Sequence, residues 1–281
     1  MSPPDLDGRI ALVTGAAGGI GRHLARAFVE AGMRVALCDT SREGILRLQD
    51  ELGADRTLSL PTDVSDPASC SDSVNRTIAR FGRLDVLVNN AAVGMSTVRA
   101  DHMRRVVQIE DISPELWARF MAVNLSGPFY MARAAVPGMR ARSFGRIINV
   151  TTSYFTMLNP GFSAYGPAKS GLEAWSTSLA GELRGTGITV NVVVPGGPTD
   201  TPMVPDDGSM ERSQLIRPEK MAPPMLHLAS DGGGAVTGMR FVAAKWDSTV
   251  SIADAIAASG APAGWPDLAK SPVWPGGGPK R

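Results

Sequence analysis

The sequence predicts an α/β fold: a doubly wound parallel sheet of about seven strands with helices on both faces. Three observations carry this expectation. Between Arg9 and Val194, short β-branched or apolar runs alternate with longer segments of helical period, the pattern of repeated β-α-β units. Four glycines, Gly15, Gly18, Gly19 and Gly21, fall where the first run meets the first helical segment. The chain has 281 residues, 43% of them hydrophobic and 20% charged, which suits a sizeable core, and a single-sheet α/β unit of this length needs no domain break.

In chain order, the strands expected from the short runs are Ile10 to Thr14, Arg34 to Asp39, Thr57 to Leu60, Val86 to Asn89, Arg146 to Thr151 and Thr189 to Val194. The helical segments between them are Ile20 to Ala31, Arg42 to Leu52, Pro67 to Phe81, Pro114 to Arg140 and Ala164 to Leu183. Right-handed crossovers place these helices on both faces and bring the carboxyl ends of the strands to one rim, where ligand chemistry is expected. Pro195 to Pro224 is rich in Pro, Gly and Met, which suits a mobile cover over a site and equally a passive surface loop. A last strand is expected near Arg240 to Ala244. Residues 1–250 thus read as one domain that includes the 195–224 loop. Residues 251–281 read as a C-terminal extension of Pro and Gly interleaved with Trp265 and Trp274, aromatic anchors for its own body or a neighbouring subunit.

Lys plus Arg number 28 against 27 Asp plus Glu, a formal net charge of +1. That balance offers no field for nucleic acid or an anionic membrane surface. Only Cys38 and Cys70 are present, Met1 to Gly8 lacks a basic and an apolar region, and no run approaches the length of a membrane span. The expectation is a cytoplasmic, reduced protein whose thiols are structural or incidental. No H-E-x-x-H, paired C-x-x-C or cluster of His and acids occurs, so metal-independent chemistry is expected.

The Gly15 to Gly21 turn follows a strand and opens a helix. Glycine suits it because positive φ is accessible and because a Cβ would hold the backbone away from a pyrophosphate. The helix N-terminus adds free N–H groups and partial positive charge for the diphosphate. Gly15, Gly18, Gly19, Ile20 and Gly21 are therefore candidate cofactor-binding residues. Asp39 ends the next strand eighteen residues past Gly21, near the ~20-residue offset at which an acid accepts from the adenosine ribose hydroxyls. Its carboxylate repels a 2′-phosphate. With no Lys or Arg at 15–19 and Arg42 the one nearby cation, NAD is expected over NADP. The alternative is that Asp39 caps a turn.

Tyr165 and Lys169, four residues apart, share one helix face. Ser163 is a candidate N-cap upstream, and Pro167 is tolerable in the first turn. A phenol near pKa 10 is a poor base at neutral pH, and an adjacent ammonium together with a positive nicotinamide ring lowers it. Tyr165 can then exchange a proton with a substrate oxygen.

These pieces together, T-G-x-x-x-G-x-G at Thr14 to Gly21, Asp63-Val64, Asn89-Asn90-Ala91, Asn124, Y-x-x-x-K at Tyr165 to Lys169 and Pro195-Gly196, resemble the short-chain dehydrogenase/reductases from about Leu6 to about Val242. The resemblance implies a Rossmann-type domain. It implies that Asp63 and Val64 lie against the adenine, that Asn89, Asn90 and Ala91 line the floor near the ribose, and that Lys169 also bonds the nicotinamide ribose. It implies that Asn124 holds a water of the proton relay, a role to set against simple packing of an Asn in an apolar helix. The substrate-orienting Ser of the family falls thirteen residues before Tyr165, on Thr152, with Ser153 as a one-residue alternative. The loop after Pro195-Gly196 is one residue longer than the family's, so either Thr199 or Thr201 meets the carboxamide. The stretch Met95 to Asp111 is extended and carries Arg99, His102, Arg104 and Arg105, charges of a solvated loop or partners for an acidic substrate group. No Gly-Gly follows Val242.

The reading is an oxidoreductase that moves hydride between NAD and a secondary alcohol or ketone. Its alternatives are an NAD-binding sensor or scaffold and a sugar-nucleotide epimerase or dehydratase. The substrate segments, Met95 to Asp111 and Pro198 to Pro224, lean toward a partly apolar molecule. The apolar helices around Phe120 to Met139 and Leu172 to Leu183 suggest a homodimer or homotetramer.

Overall fold

A computed structural model of the protein describes residues 6–267. One eight-stranded sheet runs through it in the order β3-β2-β1-β4-β5-β6-β7-β8. The strands are β1 (Ile10–Thr14), β2 (Arg34–Asp39), β3 (Thr57–Pro61), β4 (Val86–Asn89), β5 (Gly145–Val150), β6 (Ile188–Val194), β7 (Met239–Val242) and β8 (Gly260–Pro262). All neighbours pair in parallel except β8, which runs antiparallel along β7, with Arg240 opposite Ala261. The order reverses between β1 and β4, and the crevice at their carboxyl ends is the switch point where ligands bind in such sheets.

Strands buried on both faces feed two cores. Ala11 and Val13 of β1 pack with Leu24 and Phe28 of α1 (Gly19–Glu30), Ile45 and Leu48 of α2 (Arg42–Leu52) and Met225 and Leu228 of α8 (Ala222–Ala229). Leu12, between them, faces the other layer, formed by α3 (Pro67–Phe81), α5 (Gly127–Ala141) and α7 (Tyr165–Glu182) through Val74, Met131 and Ala180. Cys38 and Cys70 are buried in that second core, and burial pushes both thiols up to about 12, so they pack as small apolar groups.

Several expectations need adjusting. The helix expected over Pro114 to Arg140 is two: α4 (Pro114–Met121) and α5, joined by a π-helical turn at Ala122–Ser126. Pro128 has no N–H to close an α-turn on the Asn124 carbonyl, and the helix widens there. The sheet has eight strands rather than about seven, because β8 is a three-residue Gly-Ala-Pro segment with no period to read. It follows α9 (Ile252–Ser259), so the segment beginning at residue 251 enters the sheet. Helix α6 (Tyr154–Leu158), between β5 and α7, is also too short for a periodic signal. Trp265, beyond β8, packs on Tyr154 with ring centroids 5.8 Å apart; Trp274 lies outside the described residues. Among the described residues, no helix is long and apolar enough to cross a membrane.

Candidate active site

At the β1/β4 switch point the strand ends enclose a cavity of about 380 Å³, within the usual size of a small-molecule site. Its floor is built locally. Gly15 adopts φ +68°, and a Cβ there would lie 2.9 Å from the Ala91 Cα; at Gly21 a Cβ would lie 2.1 Å from the Gly15 carbonyl oxygen. These two glycines let the turn fold against the loop after β4. Thr14 Oγ1 accepts from the backbone N–H groups of Asn90 and Ala91, both at 3.0 Å, and Asn90 Nδ2 donates to the Thr14 carbonyl at 2.9 Å. Gly18 is the N-cap of α1 with no side-chain cap, and a Cβ there meets nothing within 4 Å. Open space therefore borders the free N–H groups of α1, a cradle that fits a diphosphate.

Gly15, Gly18, Gly19, Ile20, Asp39, Asn90 and Ala91 all line this end. The Asp39 carboxylate also does what the capping alternative describes: Oδ1 accepts from Ser41 N–H at 2.9 Å and Oδ2 from Ala17 N–H at 3.0 Å. Each oxygen keeps a lone pair for a ribose hydroxyl. Arg42 is exposed at the start of α2 and does not line the cavity. Gly21 packs beneath the turn without lining the cavity, and three further residues of the expected cofactor site stand elsewhere. Asn89 is buried in the core, its amide donating to Asn149 Oδ1 at 2.8 Å. Asp63 binds Ser65, and Val64 packs on Gly127, so neither lines the cavity.

At the other end stand Thr152, Ser153, Tyr165 and Lys169, and Pro195, Gly196, Thr199 and Thr201 also line the cavity. Tyr165 is the first residue of α7, whose N-cap is Ala164 rather than Ser163. Lys169, 1% exposed, donates to the Val150 carbonyl at 2.9 Å, and its Nζ lies 5.8 Å from the Tyr165 ring centroid. Burial pushes the phenol up to about 12 and the ammonium down to about 7. In the protein alone desolvation therefore outweighs the expected lowering of Tyr165 by Lys169.

The two candidate hydroxyls differ in their commitments. Ser153 caps α6, its Oγ accepting from Thr156 N–H at 3.1 Å and pairing with Thr156 Oγ1 at 2.9 Å. The Thr152 hydroxyl has no hydrogen bond to any described residue. Asn124 is fully buried with its amide spent on Val93, Oδ1 accepting from the N–H at 3.1 Å and Nδ2 donating to the carbonyl at 3.0 Å. It braces the loop after β4 and does not line the cavity.

Thr199 donates to the Gly197 carbonyl, while the Thr201 methyl lies against Gly19. Both line the cavity. His102, Met103, Phe162 and Met203 complete the wall beside Tyr165. His102, Met103 and Met203 fall in the two segments expected to face the substrate, whereas nothing in the local sequence marks Phe162. His102 Nδ1 is buried without a partner among the described residues, and burial lowers its pKa. Arg99 pairs with Asp101 and Asp111 inside the segment, and Arg104 with Asp207 of the loop after β6, so two of its three arginines serve ion pairs. Among the described residues no cluster of three or more His, Cys, Asp and Glu side chains is placed to hold a metal ion.

A family-wide sequence profile, short chain dehydrogenase, matches residues 9–212. The chain is 37% identical over 240 residues to a 3-oxoacyl-(acyl-carrier-protein) reductase of Salmonella typhimurium, an alignment covering 83% of this chain and 94% of that protein. It is 33% identical over 251 residues to a D-threitol dehydrogenase of Mycolicibacterium smegmatis, covering 84% and 92%. The crystal structure of a 3-ketoacyl-(acyl-carrier-protein) reductase from Brucella melitensis, complexed with NADH, superposes with a TM-score of 0.71 at 27% identity, covering 83% of this chain and 95% of that one.

Proposed function

The chain belongs to the short-chain dehydrogenase family of oxidoreductases, and on that premise we propose that it interconverts a ketone and a secondary alcohol with NAD as its hydride partner. The observation that carries the reading is the convergence of Tyr165, Lys169 and the uncommitted Thr152 hydroxyl on one end of a cavity whose other end holds the Gly15–Gly21 turn and Asp39.

When bound, the nicotinamide supplies or takes the hydride. The protein's own residues then divide the remaining work. Thr152 orients the substrate oxygen. Tyr165, protonated at neutral pH by its burial, delivers a proton to that oxygen in reduction and recovers it in oxidation. Lys169, held on the Val150 carbonyl, brings positive charge beside the phenol when it is protonated, which its burial confines to pH values up to about 7. Asp39 accepts from the adenosine ribose and disfavours a 2′-phosphate, which is why NAD rather than NADP is proposed. The relatives named above are a 3-oxoacyl-(acyl-carrier-protein) reductase and a D-threitol dehydrogenase, and the apolar wall of Met95, Met103, Phe162 and Met203 supports a partly apolar ketone here.

A homodimer or homotetramer is part of the proposal. Phe129 on α5 and Trp175 on α7 form an edge-on pair at 6.1 Å, with Phe129 44% exposed, an apolar feature that a second copy would cover. The enzyme is proposed to work in the cytoplasm. Following NADH absorbance across ketones, secondary alcohols, sugars and steroids, with NADPH in parallel, tests the reading. Turnover with NADH of at least one ketone is expected; tight NADH binding with no turnover across the panel would leave a nucleotide-binding role instead.

A further inference from the structure

Behind the turn that carries Thr152 and Ser153, the structure buries a pair of opposite charges. Glu173 lies two helical turns beyond Tyr165 on α7 and is fully buried; Arg240, on β7, is 5% exposed. Arg240 Nη1 pairs with Glu173 Oε2 and lies 3.4 Å from Thr151 Oγ1, while Nη2 donates to the Thr152 carbonyl at 2.8 Å. Glu173 also accepts from Thr151 Oγ1 at 3.2 Å and from the Tyr154 hydroxyl at 2.7 Å. The guanidinium sits 4.0 Å from the centroid of the Tyr154 ring, and Trp265 packs on the same ring. Residues 151, 152 and 154 are thereby tied to a helix and a strand that follow them by 19 to 89 residues.

A buried ion pair gives little net stability against an apolar pair of the same volume, because both charges lose their hydration. What it does give is direction. The guanidinium holds its donors in a rigid planar fork, so one group can grip Glu173 and the Thr152 carbonyl together, which an ammonium cannot. Neither Arg240 nor Glu173 lines the cavity, so any effect on the reaction passes through the turn. We propose that Arg240 and Glu173 are positioning residues, which fix the Thr151–Tyr154 turn so that the Thr152 hydroxyl meets the substrate oxygen beside Tyr165. This rests on reading the cavity as the reductase site. Trp265 closes the outer side of the assembly.

The test compares R240K, T152A and the double variant R240K/T152A in the full-length protein by amide hydrogen exchange, NADH binding and steady-state kinetics with an accepted ketone. R240K keeps the charge on Glu173 and loses the second donor. It is expected to bind NADH with unchanged affinity and to exchange the amides of residues 152–157 about tenfold faster, with the rest of the sheet unaffected. Its kcat is expected to fall by about tenfold to a hundredfold, the cost of a misplaced orienting group. Added to T152A, R240K should cost nothing further, since both act through one hydroxyl. Native exchange in the turn would overturn the proposal, and so would a turnover loss that adds in full to that of T152A. If the unmodified protein binds NADH but reduces nothing, the functional reading fails, and the exchange data still decide whether Arg240 holds the turn.

Discussion

The Lys169 ammonium is tied to the Val150 carbonyl at 2.9 Å and stands 5.8 Å from the centre of the Tyr165 ring. The lysine is therefore anchored to the end of β5, beside the phenol rather than hydrogen-bonded to it. The sheet therefore sets where its nitrogen stands, and the lysine leaves the phenol hydroxyl unpaired. Replacing Tyr165 by Phe removes that hydroxyl alone. Y165F is expected to lose about 10²- to 10⁴-fold in kcat while binding NADH with native affinity, measured by fluorescence titration and absorbance kinetics.

Thr152 and Ser153 separate function from stability. T152A should lower kcat by about tenfold or more with an unchanged melting temperature, since its hydroxyl bonds no described residue, and T152S should restore activity. S153A removes the cap of α6 and should cost about 1 kcal/mol of stability. A larger loss of turnover in S153A than in T152A, in kinetics corrected for folded fraction, would exchange their roles.

On the proposed reading, Asp39 sets the preference between the two dinucleotides. D39N keeps the shape and one acceptor of the turn but removes the charge that accepts from the ribose and repels a 2′-phosphate. The preference for NADH over NADPH, read as the ratio of kcat/KM values, should fall by about tenfold, the worth of one hydrogen bond to a charged group.

Burial of Lys169 predicts a rise of stability with pH. Its pKa is about 7 in the folded protein against 10.5 in an exposed lysine. Between those values the unfolded chain holds a proton that the native one lacks, so stability rises with pH at up to about 1.4 kcal/mol per unit. Cys38 and Cys70, raised from 9.0 to about 12, act in the opposite sense above pH 9. Urea denaturation of the dinucleotide-free protein between pH 7 and 9 should show the positive slope, and K169M should flatten it.

Phe129 offers the check on assembly. F129E places a charge beside Trp175 on the exposed α5/α7 surface and should reduce the mass seen by light scattering to that of a monomer, while a native mass would put the interface elsewhere.

Much of this site was legible because its signals are local. The Gly15–Gly21 turn, Asp39 eighteen residues on, and Tyr165 four residues before Lys169 each follow from strand and helix geometry within one β-α-β unit. The sheet itself followed from the alternation of short apolar runs with helical segments. What stayed hidden depended on residues far apart in the chain. Asn124 reads in sequence as either a relay member or a packing residue, and only the fold shows its amide spent on Val93, 31 residues earlier. Thr152 and Ser153 look equivalent in sequence, and only the fold of α6 commits Ser153 to a cap.

By itself, then, the sequence determined the α/β class, the first six strands and their alternation with helical segments, the glycine turn and the tyrosine–lysine pair, because backbone periodicity and spacing along one helix or strand end specify them. Tertiary structure alone decided that the sheet continues into β8, that Trp265 packs on Tyr154, and that Arg240 reaches from β7 to hold the Thr152 carbonyl and Glu173. Those contacts depend on which strands become neighbours, and that is settled by burying both faces of the sheet at once, a property no short stretch of the chain contains.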